Sequence, residues 1–378
     1  MTLKEPEFTL GVEEEYLLVD RRTGNLVSDP PSALMRECVQ LCGEQVSPEL
    51  MRSQIEVGTS VCSNVNQAGV ELRRLRGVIA RVSNQFDLAP IAVSTHPFAR
   101  WMNQKQTAKA RYLALTQEMQ ATARRLLICG MHVHVGVSDP ELRIDLMSQL
   151  SYFLPHLLAL SCSSPFWEGE NTGLKSYRLT VFGSLPRTGL PEQFASDAEY
   201  QRHVDILVKA GLIDDATKIW WDLRPSARFP TLETRIMDVC TNVQHATSMV
   251  ALTVCLMRML YRLRRRNQSW RRYARMLINE NRWRAMRYSF DAGMIDLAKG
   301  EITPFAELLD ELLDFVAEDA AALNCQQALA QVKEILASGT SAHQQIRVYD
   351  AAIQKGKTSK EGLHDVVDWL IAETVRDL

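Results

Sequence analysis

The 378-residue chain has no uninterrupted run of about 20 apolar residues, the length needed to span a bilayer. Its longest such stretch, roughly Met249 to Met257, is stopped by Arg258. The start, Met1 to Glu7, offers no apolar targeting segment ahead of the first strand pattern. A soluble, cytoplasmic protein with no membrane partner is expected. An excess of one charge is also missing: 43 Lys and Arg stand against 45 Asp and Glu, leaving −2. No global field therefore draws the chain to nucleic acid or anionic lipid. Glycine-rich nucleotide signatures are absent too, since neither GxGxxG nor GxSxG occurs. Gly356-Lys357-Thr358 is not the end of a phosphate loop, because Ala351 stands where the first glycine belongs and a helix pattern precedes it. A nucleotide would have to be held by another architecture. Of eight cysteines only Cys38 and Cys42 are close, on a predicted helix and without a second pair at zinc-finger spacing. Reduced, mostly buried thiols are the expectation.

What is present is a set of strands with chemistry on one face. In Cys129 to Val137, side chains alternate so that Met131, Val133, Val135 and Val137 share an apolar face, while His132 and His134 share the other. Phe8 to Val19 repeats the pattern, with Phe8, Leu10, Val12, Tyr16 and Leu18 inward and Glu13 and Glu15 opposite. At about 3.3 Å per residue those two carboxylates start some 7 Å apart, within reach of one divalent ion or a pair. Thr231 to Val239 is the third case: Leu232, Thr234 and Ile236 face one way, Glu233 and Arg235 the other. Each pair alone suits a solvated strand. Recurrence on comparable faces points to a shared site.

Organisation changes once along the chain. Up to residue 242, strands alternate with helices, predicted at Pro31–Cys42, Asn66–Gln85, Lys105–Leu126 and Pro140–Ser161, with a strand at Ala89–Ser94. From 243 onward nearly everything reads as helix: Ala246–Arg265, Pro304–Asn324, Cys325–Ser338, Ala342–Lys355 and Lys360–Leu378. Without a regular βαβ rhythm this is an α+β pattern. No repeat or low-complexity linker divides it, so residues 1–378 are expected to form a single domain whose last third is helical. The turn-rich stretch Pro165 to Pro191, carrying Tyr177 and Arg178, is long enough to expect a functional loop.

Taken together, Gly11-Val12-Glu13-Glu14-Glu15, Pro48-Glu49 with Glu56, Thr95-His96-Pro97-Phe98, Gly130 to Gly136, and Trp221 to Ser226 with Thr231 to Asp238 resemble the bacterial carboxylate–amine ligases of the type-2 glutamate–cysteine ligase family. The resemblance covers roughly residues 8 to 300. It implies a glutamine synthetase-like fold, an antiparallel sheet flanked by helices whose concave face holds ATP and divalent metal. It assigns Glu13, Glu15, Glu56, His132 and Glu233 to metal, a set rich in oxygen that suits Mg²⁺ or Mn²⁺ better than zinc. Glu49 matches a further acidic ligand. Seven residues before Glu56, it would fall on the wrong face of a regular strand, so it must precede the strand or sit across a bulge. Arg224 and Arg235 match positions that hold ATP phosphates and substrate, work suited to the planar guanidinium fork. Glu233, Arg224 and Arg235 are thus the catalytic candidates. Where the family often has an apolar residue, this chain has Glu14, which needs a partner if it is buried. His134 is either a substrate-side or supporting contact or a structural histidine.

Eleven arginines crowd Arg258 to Arg287, with Trp270 and Trp283 between them. Asn279 to Tyr288 resembles a family motif near the active site, which would bring Asn281 and Arg287 to ATP or substrate. A solvated helix or a nucleic-acid contact are the other readings. The reaction implied is ATP-dependent amide formation through an acyl phosphate, joining the γ-carboxylate of glutamate to cysteine or another amine, and a homodimer is one assembly it allows. A metal-dependent hydrolase built on His132 and His134 is the alternative enzyme, although the βα rhythm of such barrels is missing. A binding module built on the arginine-rich helix is the alternative from another class.

Overall fold

The computed structural model describes residues 5–378. Met1 to Lys4, part of the start read above for a targeting segment, lie outside the described residues. A seven-stranded antiparallel sheet forms the centre. Its strands are β1 (Leu10–Asp20), β2 (Val46–Pro48), β3 (Gln54–Gly58), β4 (Leu88–Ile91), β5 (Met131–Gly136), β6 (Leu223–Pro225) and β7 (Thr231–Thr234). They run in the order β6-β7-β5-β1-β3-β2, with β4 also paired to β1. The expected α+β class is observed.

β1 is central because its alternation is the most complete. Leu10, Val12, Glu14, Tyr16 and Leu18 are all buried on one face, and the register Glu13↔His132 and Glu15↔Glu56 carries the other face across to β5 and β3. After α1 (Ser32–Cys42), the apolar face is covered by α2 (Val65–Asn84), which packs on β1 and β4, and by the helix Val243–Arg265, which packs on α2 and β5. Asn64 starts α2 by accepting the Gln67 amide at 2.9 Å. Glu14 finds the partner it required. Arg76 of α2 meets it through Nη2–Oε1 at 2.6 Å and Nε–Oε2 at 2.8 Å, and Tyr16 donates its hydroxyl at 2.5 Å.

The helix Val243–Arg265 is long and apolar enough by composition to cross a membrane, yet 83% of its most apolar window is buried inside the protein. It is a core helix. The C-terminal third is helical as expected, through Phe305–Ala322, Ser341–Gln354 and Ser359–Thr374, while the predicted Cys325–Ser338 helix divides into Gln326–Ala330 and Val332–Ser338. Lys105–Leu126 likewise shortens to α3 (Ala110–Met119) followed by one turn at Ala121–Arg124. Asp197–Lys209 is an additional helix that the sequence reading did not list. All eight cysteines are free and buried.

Candidate active site

The face of the sheet opposite the core carries one continuous row of polar side chains. From β6 to β2 it runs Arg224, Glu233, His134 with His132, Glu13 with Glu15, Glu56 and Ser47, each aligned with its neighbour by antiparallel register. This row lines a cavity of about 570 Å³.

Two groups of metal-capable ligands stand in the row, and within each group one donor atom per residue lies within 4.8 Å of the others. The first is Glu13, His134 and Glu233. His134 spends Nδ1 on Thr231 Oγ1 at 2.9 Å, while its buried Nε2 has no hydrogen-bond partner and lies 3.5 Å from Glu13 Oε1 and 4.0 Å from Glu233 Oε1. His132, the imidazole ligand expected from sequence, stands beside the same two carboxylates, bonding Glu13 Oε2 at 3.0 Å and lying 4.0 Å from Glu233 Oε1. The register places both rings, because β1 sets Glu13 opposite His132 and β7 sets Glu233 opposite His134. Burial and the Arg235 cation push His132 down to about 4, so it is neutral near pH 7 and donates Nδ1–H to Glu13. Against burial, the hydrogen bond from His132 and the nearby imidazole of His134 hold Glu13 well below the usual carboxylate range, and the Arg235 and Arg224 cations do the same for Glu233.

The second group is Glu15, Glu49 and Glu56. Glu49 does precede its strand, on the turn between β2 and β3. Burial, with the Glu49 carboxylate beside it, pushes Glu15 up to about 8; burial, then Glu49, Glu13 and Glu15, pushes Glu56 up as well. Three carboxylates this close cannot all ionise without a cation.

Arg224 forks onto Glu233, Nε to Oε2 at 2.8 Å and Nη2 to Oε1 at 3.3 Å, and is anchored by the Thr217 and Ile219 carbonyls. Arg235 also bonds Glu233 through Nη1, while its Nε is buried and unpartnered. Arg178 is almost wholly buried on the cavity wall, with no carboxylate within 4 Å among the described residues and only long bonds to the Arg235 and Ile236 carbonyls, at 3.3 and 3.4 Å.

Three expected contacts lie elsewhere. Tyr177 packs its ring on Trp167 at 5.4 Å. Asn281 ties the helix Arg275–Tyr288 to the Ile295 backbone with bonds of 2.8 and 2.7 Å. Arg287 bonds the Gly173 carbonyl and covers Tyr288. None of the three lines the cavity. Much of the arginine-rich stretch is consumed by acids: Arg258 and Arg262 on Asp319 at 2.8 Å each, Arg264 and Arg272 on Asp145 at 2.6 and 2.8 Å, Arg282 on Asp222 at 2.6 Å. Residues that sequence reading missed include Lys109, Arg111, Tyr112 and Arg228 on the cavity wall. No strand or helix periodicity marks them, because folding brings them there from the lead-in and first turn of α3 and from the turn between β6 and β7.

Across residues 9–368 the sequence matches the model of glutamate-cysteine ligase family 2. The chain belongs to that family. A Rhodospirillum rubrum relative named "Putative glutamate--cysteine ligase 2" is 58% identical over 380 residues, covering 100% of this chain and 98% of the relative. One from Paracoccus denitrificans with the same name is 54% identical over 375 residues, 99% of this chain and 100% of its own. Among solved structures, the glutamate–cysteine ligase of Francisella tularensis in complex with AMP superposes with a TM-score of 0.70 at 13% identity, covering 100% of this chain and 90% of that one. The bifunctional glutathione synthetase of Pasteurella multocida gives 0.68 at 16%, with 98% of this chain matching 53% of that one. These two share the fold.

As a family 2 ligase, the protein is an ATP-dependent carboxylate–amine ligase of the glutamate–cysteine ligase type. The site accommodates the divalent ion such chemistry needs. Burial and neighbouring carboxylates push Glu15 and Glu56 up, His134 Nε2 is a buried lone pair or N–H without a partner, and the donor set is five carboxylates and one imidazole. That composition suits Mg²⁺ or Mn²⁺.

Proposed function

We propose that this ligase joins the γ-carboxylate of glutamate to an amine, with cysteine as the foremost acceptor, by way of an acyl phosphate formed from ATP. A carboxylate does not acylate an amine at neutral pH, so one of its oxygens must first be turned into a phosphate leaving group. The γ-phosphoryl group of ATP passes to the carboxylate oxygen and ADP departs. Attack by the amine nitrogen then expels inorganic phosphate, and the amine gives up a proton as the amide forms. Mg²⁺ or Mn²⁺, when bound, neutralises phosphate charge and fixes the triphosphate for in-line transfer. Glu13, His134 and Glu233 would hold one ion, and Glu15, Glu49 and Glu56 another.

The remaining work falls to the arginines. Arg235 has a donor to spare at Nε for a phosphoryl or acyl phosphate oxygen, and such charge-assisted bonds strengthen as negative charge builds on that oxygen. Arg224 orients Glu233 through its fork. Arg178 offers a second oxyanion contact from inside the wall. The observation that carries the reading is the pairing of six metal-capable ligands with guanidinium donors left unpartnered, Arg235 Nε and Arg178 Nε, in one cavity, the arrangement a metal–polyphosphate complex requires. Residues 1–378 would act as one catalytic domain in the cytoplasm. The packing of Val243–Arg265 on α2 and β5 supports the single domain.

Hydroxylamine tests the intermediate directly. Enzyme, MgATP, glutamate and hydroxylamine should yield a γ-glutamyl hydroxamate and ADP, because this small nucleophile intercepts an acyl phosphate without fitting the acceptor pocket. A panel of acids and amines would then identify the natural pair. Folded protein that gives neither hydroxamate nor ADP from any acid at saturating Mg²⁺ would end the proposal.

A further inference from the structure

Glu49 is the one ligand candidate outside regular strand structure, so something other than β geometry must hold it. Its turn is sewn to the lead-in of α3 by backbone bonds, Arg52 N–H to the Lys105 carbonyl and Thr107 N–H to the Leu50 carbonyl, both 2.9 Å. The seam delivers Tyr112, in the first turn of α3, against Glu49. Only 4% of Tyr112 is exposed, and its hydroxyl lies 3.3 Å from both Glu49 Oε1 and the Pro48 carbonyl. Lys109 Nζ bonds that same carbonyl at 3.1 Å. On the other side Arg111 Nη2 donates to the Tyr112 oxygen at 3.3 Å, and its guanidinium covers the ring at 4.7 Å. The far oxygen of Glu49 accepts the Leu50 amide at 2.8 Å. Both carboxylate oxygens are therefore aimed, one by backbone and one by Tyr112.

We propose that Tyr112 is a positioning residue for the Glu15–Glu49–Glu56 cation site: Arg111 polarises its hydroxyl, which orients Glu49 toward the other two carboxylates. A donor bonded to a metal-ligating carboxylate fixes its direction and its share of charge, and removing such a partner typically lowers metal affinity 10- to 100-fold. Tyrosine suits the task because a rigid ring carries one donor to a fixed depth, while a flexible amine such as that of Lys109 would follow the ligand as it moved. This inference rests on the ligase reading of the cavity and adds to it a residue without which one of its two cation positions is loose.

Mn²⁺ binding to the full-length protein without nucleotide, read from the free-ion electron paramagnetic resonance signal, separates the inference from the reading beneath it. Tyr112→Phe should weaken one class of Mn²⁺ site about 10-fold or more and leave the other class unchanged, and it should raise the Mn²⁺ concentration needed for half-maximal turnover while kcat recovers at excess Mn²⁺. In a Glu49→Gln background it should add nothing. Unchanged Mn²⁺ affinity in Tyr112→Phe, or effects that simply add to those of Glu49→Gln, would overturn the proposal. Should Tyr112→Phe fail to fold, Arg111→Gln must weaken the same class of site, and unchanged binding there overturns it equally. A wild-type protein that binds no Mn²⁺ at all would instead remove the metal-site reading, and this inference with it.

Discussion

Glu13 and Glu15 are two residues apart on one strand and on one face, yet they sit at opposite ends of the titration scale. Glu13 is hydrogen-bonded by His132 with His134 close by and held low, whereas Glu15 is buried beside Glu49 and pushed up to about 8. The consequence for stability follows from proton linkage. A carboxyl whose folded pKa is raised from 4.5 to about 8 binds more protons folded than unfolded between those values. Its contribution is full below 4.5 and is lost as pH rises to about 8. Glu56 acts in the same sense. Glu13 and Glu233 have the opposite sign, their contribution being present above 4.5 and lost only as pH falls. Metal-free protein in EDTA should therefore melt at a lower temperature at pH 8 than at pH 6. Mn²⁺ should raise the melting temperature more at pH 8, where fewer protons must be displaced. Equal metal-free melting temperatures at the two pH values would show that Glu15 and Glu56 carry no such strain. The alternation that put Glu13 and Glu15 on a polar face was legible from sequence. Their different environments were not, because those come from β5, from β3 and from the turn that carries Glu49.

At the scale of elements, period-two patterning made β1, β5 and β7 readable, since each exposes its chemistry on the face its apolar residues avoid. Cross-strand register was not readable from any single strand: the pairing of β5 with β7 sets His134 opposite Glu233, and that of β5 with β1 sets His132 opposite Glu13. Turn positions were the least legible. Glu49 and Tyr112 meet through a backbone seam between a turn and a helix lead-in, and no periodicity records such a meeting. Gly130, just ahead of β5, shows the same dependence on a distant element. A Cβ there would lie 2.3 Å from Arg178 Nη2 and 2.8 Å from its Cζ, so the glycine exists to let a buried guanidinium from the helix Arg178–Phe182 pass. Gly130→Ala should displace Arg178, costing about 1–3 kcal/mol of stability from overpacking and lowering turnover as well. Urea unfolding and steady-state kinetics would measure both. An alanine variant with wild-type midpoint and rate would mean that Arg178 has slack in its slot.

For the whole molecule, the question is what ties the helical layer to the catalytic strand, since the cavity residues touch solvent on one side only. Glu14 provides the tie. It projects from β1 between Glu13 and Glu15 but into the core, where Arg76 of α2 grips it with two bonds and reaches on to the Thr241 and Cys240 carbonyls at 2.6 and 2.8 Å. The strand that presents the metal carboxylates, the helix behind it and the segment leading into Val243–Arg265 thus meet at one buried guanidinium. The sequence signalled half of this: a carboxylate on an apolar face demands a partner, but which of the 43 Lys and Arg would supply it is a property of packing. Removing one member leaves a bare charge in the core, a change that typically costs about 3–5 kcal/mol, whereas replacing both with apolar residues of similar size is often near neutral. Arg76→Met alone should therefore lower the urea midpoint steeply, and Glu14→Leu should do likewise. The double variant should recover much of the loss, though not all, because the Tyr16 hydroxyl and two carbonyls still lose a partner. If Arg76→Met costs less than about 1 kcal/mol, the value of an exposed pair, the ion pair is not what couples the layers. If instead the double variant is stable yet binds Mn²⁺ more weakly, then Glu14 serves the site as well as the fold, by fixing the pitch at which Glu13 and Glu15 leave the strand.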